Sequence, residues 1–137
     1  MGNQQSTFWD DLSEDLKDAE FRSEFIRQSV RIATIDRIVG QLDEAREAAG
    51  LTKAAVARAL DTEPAHVRRL FSSGSANPTL GTISEVAAVL GLQITVTRLS
   101  DEARHTVTAP LMGDDPDDLL ALGRYLTGLR ERTIDLV

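Results

Sequence analysis

The chain has 137 residues, 22 acidic against 15 basic side chains for a formal charge of −7, and no cysteine. That length buries an ordinary hydrophobic core without staples, and the missing cysteine excludes disulfides and thiolate zinc sites. His66 and His105 stand far apart with no paired spacing, so neither a metal centre nor any other cofactor is expected.

The opening MGNQQSTFWDD has no apolar core of the kind a secretory signal needs. Gly2 followed by Ser6 matches the short pattern for N-terminal fatty acylation. No apolar run approaches the length needed to span a bilayer. A soluble, cytoplasmic protein is the expectation.

In chain order, residues 7–17 predict a short helix capped by Thr7, with Phe8, Leu12 and Leu16 recurring at fours. A second helix starts near Asp18, with Phe21, Phe25 and Ile32 as its inward stripe. A third, about Asp36 to Ala49, carries Ile38, Leu42, Ala45 and Ala49 at helical spacing and ends at Gly50. Thr52 caps the next helix, Leu60-Asp61-Thr62 forms a turn, and Glu63 opens a further helix with Pro64 in its first position. Ser72 to Pro78 reads as a loop. Thr79 caps a helix through Leu90, with Leu80, Ile83, Val86, Ala87 and Leu90 turned inward.

At Leu92 the period changes. Leu92, Ile94 and Val96 alternate with Gln93, Thr95 and Thr97, the two-residue repeat of a half-buried strand. Such a strand needs a partner, either His105 to Ala109 or the same strand of a second subunit. Beyond it, Asp114 or Asp115 caps and Pro116 starts a final helix supported by Asp117 and Asp118. Leu119, Leu122, Leu126 and Leu129 line one side of that helix, and Gly123 and Gly128 each weaken it by about 1 kcal/mol relative to Ala.

The stretch LTKAAVARALDTEPAHVRRLFSSG, Leu51 to Gly74, has the layout of a helix-turn-helix, in which one helix lies in the DNA major groove and another braces it. Ala57 is the small residue where the pair must approach. Val56, Leu60, Val67 and Leu70 pin it from inside. Ala65, His66, Arg68 and Arg69 occupy the outward arc of the second helix. Lys53 and the N–H groups at the start of the first suit a phosphate.

The negative charge is unevenly spread. Residues 36–92 hold seven acids and six bases, whereas 1–35 hold seven and four, and 93–137 eight and five. Lys53, Arg58, Arg68 and Arg69 fall together in the helix pair, a local cationic face on an acidic body.

The run REAAGLTKAAVARAL, the turn and the exit NPTL…ISEVAAVLGL resemble the XRE family of phage-repressor-like helix-turn-helix proteins. That resemblance implies phosphate contacts near Thr52, Lys53 and Asn77, and base or backbone contacts from Ala65, His66, Arg68 and Arg69. Where the family often has Gly at the turn and Gln at the second recognition position, this sequence has Asp61 and Pro64. Pro64 can donate nothing, so base reading moves to His66, Arg68 and Arg69; Arg binds guanine O6 and N7 as a fork.

The segment DAEFRSEFIRQSVRIATIDRIVGQLDEAREAAGLT and the stretch LGLQITVTRLS are similar to HigA-type antitoxins. This likeness implies a homodimer that represses its own operon at a palindromic double-stranded DNA operator; the strand, paired with its copy, would join the dimer through Leu92, Ile94 and Val96. It also implies neutralisation of a small basic toxin that cleaves messenger RNA. Two-fold symmetry sets the half-sites ~34–36 Å apart. A stand-alone regulator without toxin, or an interaction module that has lost DNA reading, would fit the same residues.

The expected fold is mainly α, a five-helix repressor-like domain over 36–91. A helical N-terminal extension (1–35), a strand or dimerisation segment (92–110) and an acidic helical tail (111–137) flank it. Catalysis is not expected, since the sequence offers no cysteine nucleophile, Gly-rich phosphate loop or paired histidines.

Overall fold

A computed structural model describes residues 3–72 and 77–135; Gly2 of the acylation pattern and residues 73–76 of the Ser72–Pro78 loop lie outside these. The helices are α1 (Asn3–Asp15), α2 (Ala19–Ala48), α3 (Lys53–Ala59), α4 (Pro64–Leu70), α5 (Leu80–Val89), α6 (Asp101–Ala103), α7 (Ala109–Leu111) and α8 (Leu119–Asp135). A π-helical turn over Arg104–Thr108 joins α6 to α7. None of these helices is long and apolar enough to cross a membrane.

The chain divides into two compact units, the N-terminal segment to Ala33 with Thr97–Arg132, and Thr34–Val96. In the first, Ile26, Val107, Leu122 and Leu126 form a core flanked by Phe25, Val30, Tyr125 and Leu129. Leu12 of α1 and Leu16 just after it are buried, as their spacing predicts, whereas Phe8 lies exposed and stacks edge-on to Trp9. Gly123 is less a weakness of α8 than a contact point. A Cβ there would come within 3.0 Å of Leu12 Cδ2, so glycine lets α1 lie close against α8.

Several expectations for this unit are corrected. Thr7 lies inside α1 and does not cap it. The expected second and third helices are one continuous α2, since nothing between Ile32 and Asp36 breaks a helix. Asp18 caps α2 by accepting from the N–H groups of Glu20 and Phe21 (2.9 and 3.3 Å). The inward face of α2 is Ile26, Ser29 and Ala33, leaving Phe21 and Ile32 exposed. Phe25 takes the Arg130 guanidinium over its ring. At α8, Asp118 supplies the cap, accepting from Leu120 and Ala121, so Pro116 stands before the helix and not in its first turn.

No β-ladder exists among the described residues. Residues 92–99 run without regular structure, and the candidate partner His105–Ala109 is helical. Ser100 caps that helix by accepting from Ala103 N–H, and Val107 is buried in the core of its unit. Pro110, lacking an N–H, removes the bond to Thr106 O that an α-helix would make. The chain widens there, with Ala109 N–H donating to Arg104 O.

Ser29 is fully buried and its Oγ has no hydrogen-bond partner. An unpaired buried hydroxyl costs about 1–3 kcal/mol, and Ala is also the better helix former. Ser29→Ala is therefore expected to stabilise the protein by about 1 kcal/mol, read as a higher urea midpoint at unchanged slope. A lower midpoint would show that the hydroxyl is satisfied in solution.

Among its described residues the second unit contains the tail of α2 with α3, α4 and α5, four helical pieces where five were expected. Leu42, Leu70, Ile83, Val86 and Ala87 form one core cluster, and Val56, Ala57 and Val67 another, with Leu60, Phe71 and Leu90 shared between them. Leu80, expected inward, is 70% exposed in the first turn of α5. Gly50 (φ +69°) ends α2, and Leu51 N–H reaches back to Arg46 O (3.1 Å), a left-handed C-terminal closure that favours glycine.

Candidate nucleic-acid interface

Helices α3 and α4 are only seven residues each, too short to persist alone, so caps and packing must define them. Thr52 Oγ1 accepts from Ala55 N–H (3.0 Å) to start α3, and Thr79 does the same for α5 through Thr82 N–H (3.1 Å). At the end of α3, Asp61 takes φ +52°, standing where glycine is commonest, and Thr62 N–H closes the turn on Ala57 O (3.0 Å). Glu63 occupies the N-cap of α4 without a side-chain bond, and Pro64 follows in the first turn.

This closure sets the angle between the pair. Ala57, fully buried, keeps the crossing narrow, while Val56, Val67 and Leu70 are buried and Leu60 half-buried around it. With Val67 and Leu70 inside, helical geometry turns Ala65, His66, Arg68 and Arg69 outward on one arc, and all four are exposed. Thr52 is exposed and Lys53 half-buried at the start of α3; Asn77 is exposed just before Pro78. The Thr52 hydroxyl oxygen is used by its cap, but its hydrogen remains for an acceptor.

Lys53, Arg58, Arg68 and Arg69 form no ion pair among the described residues, so their charge is available to an external anion. Asp61 and Glu63 are exposed at the turn before α4 and temper this cationic surface locally. Leu92, Ile94 and Val96 lie outside the pair, at 41%, 38% and 98% exposure.

Two interactions behind the surface were not legible as site features. Arg46 is nearly buried. It donates to Asp43 Oδ1 (2.8 Å) and to Leu51 O (2.8 Å), with its guanidinium 5.7 Å from the Phe71 ring centroid. It thereby ties the end of α2 to the linker before α3 and to the end of α4. The other is a bond between Thr62 Oγ1 and His66 Nδ1 at 2.9 Å. The only sequence trace of it is a hydroxyl four residues before an imidazole.

No curated protein and no solved structure matches the chain. A family model does match, the helix-turn-helix HTH_3, over residues 42–96, from within α2 to the end of the second unit. This is a DNA-binding regulatory family and not an enzyme family. Residues 42–96 are thus similar to the helix-turn-helix of XRE-type proteins, which points to a DNA-binding transcription regulator.

Proposed function

We propose that the chain is a sequence-specific transcriptional repressor that binds a palindromic operator as a homodimer through α3 and α4. The observation that carries this reading is the exposed arc of Ala65, His66, Arg68 and Arg69 directly opposite the buried Val67 and Leu70. Arg68 and Arg69 read bases, while Thr52, Lys53 and Asn77 hold phosphates. A mobility-shift titration against the DNA upstream of its own reading frame tests this. Lys53→Ala should weaken operator and unrelated DNA alike and reduce the salt slope by about 1. Equal affinity for operator and unrelated DNA at every salt concentration would refute sequence-specific repression.

The dimer forms through Leu92, Ile94 and Val96, by pairing of this segment with its copy. Supporting this are partly exposed Leu92 and Ile94, which line a groove of about 500 Å³ together with Ile38, Leu42 and Ala45, and the fully exposed Val96 after them. Within this reading the protein is an antitoxin, and its partner is a small basic toxin. The acidic flanks support it, because opposite charge speeds encounter and limits wrong partners. Co-purification from native neighbours should recover a basic protein; recovery of the chain alone would favour a regulator without toxin.

A further inference from the structure

Thr62 ties the turn to both helices of the pair, to α3 through its N–H and to α4 through its hydroxyl. Its N–H holds Ala57 O, and its hydroxyl sits 2.9 Å from His66 Nδ1. A threonine hydroxyl has one hydrogen to donate, and a neutral imidazole has one nitrogen to receive it. Among the described residues the Thr62 hydroxyl has no other acceptor, and His66 Nε2 has no partner at all. With the hydroxyl hydrogen directed at Nδ1, the ring proton resides on Nε2. Thr62 is half-buried and His66 exposed, so the bond holds the ring from the Thr62 side and leaves Nε2 without a partner among the described residues.

The neighbours give this nitrogen its importance. Pro64 and Ala65, the first two residues of α4, have no side-chain donor, and Glu63 can only accept when ionised. His66 is thus the first donor met along α4, in the N-terminal part of a recognition helix where base edges are read. Arg68 and Arg69 follow it towards the C-terminal end.

We propose that Thr62 is a positioning residue for base reading. It fixes the His66 imidazole in the tautomer that offers Nε2–H to an acceptor on a base edge, guanine O6 or N7 or thymine O4. The inference rests on the DNA-binding reading above and adds to it the identity of a specificity element. A phosphate oxygen would accept the same N–H, but that contact would carry no sequence information.

The test uses the full chain, its own operator and a set of operators changed at one base pair each. Thr62→Val should lower discrimination roughly tenfold at the same one or two base pairs per half-site that His66→Ala affects, and nowhere else. The double variant should match His66→Ala alone, because the hydroxyl acts only through the ring. Thr62→Ser should retain discrimination. In the free protein, imidazole nitrogen shifts should report the Nε2–H tautomer for wild type and a mixture for Thr62→Val.

An Nδ1–H tautomer in the wild type would overturn the proposal. So would additive effects of the two substitutions, or equal loss on all sequences, the latter assigning His66 to phosphate. If wild type discriminates among operators and Thr62→Val does so equally at every base pair, this proposal alone falls. If wild type prefers no operator over unrelated DNA, the DNA-binding reading falls first and the proposal with it.

Discussion

The double variant Arg68→Ala/Arg69→Ala should lose at least about a hundredfold in operator affinity while folding normally. Each guanidinium is exposed on α4 and forms no ion pair among the described residues, so truncating it leaves no buried charge behind and opens no cavity. The loss therefore falls on binding. A forked bond to guanine discriminates by about 1–3 kcal/mol, and removing two such forks together outweighs the effect of any single phosphate contact. The single variants should separate the roles. Whichever arginine reads a base relaxes preference at one position, whereas one that touches phosphate weakens every sequence alike. Mobility shifts at two salt concentrations distinguish these outcomes. Wild-type affinity in the double variant would remove α4 from the interface.

Arg46→Ala should cost about 3 kcal/mol of stability in the helix-turn-helix unit and weaken DNA binding without touching DNA. The side chain is 13% exposed and gives up four attachments at once: the Asp43 carboxylate, the Leu51 carbonyl, the Phe71 ring and a longer, exposed pair with Glu47 (3.6 Å). Hydrogen bonds to charged groups are worth about 1.5–3 kcal/mol, and a partly buried carboxylate left without its partner adds to the loss. Arg46→Lys should recover less than half, because one ammonium cannot serve carboxylate, carbonyl and ring face together. Urea unfolding measures the effect. A change under about 1 kcal/mol would mean that the caps at Thr52 and Gly50 suffice to set α3 on α2.

The two substitutions separate the proposed reading surface from a frame, and the frame is held from α2. The frame explains why the family match begins at Leu42, within α2 and well before the helix pair. Leu42 belongs to the core cluster of Leu70, Ile83, Val86 and Ala87, so the last turns of α2 are part of the domain's interior.

Short-range chemistry made the helix pair readable from residues alone. Caps at Thr52 and Thr79, the turn through Asp61, Pro64 in the first turn of α4 and the small Ala57 each act within a few residues, and the structure has them all in place. The buried positions Val56, Val67 and Leu70 follow from the same periodicity. Other features had no local cause. The period-two pattern from Leu92 to Val96 is a strand's pattern, but a ladder needs a second chain segment beside it, and His105–Ala109 is drawn into a helix by Ser100 and the burial of Val107. The inward face of α2 fell on Ile26, Ser29 and Ala33 because α8 and the 104–108 turn offer their apolar side chains there; hydrophobicity alone favoured Phe21 and Ile32. Nothing local marks Arg46, and Thr62 reads only as a turn residue, until folding sets Phe71 and Leu51 around the first and the His66 ring beside the second. Spacing along the chain fixes which backbone groups can cap and turn; which distant side chains meet depends on packing, and packing is settled only when all the helices are present.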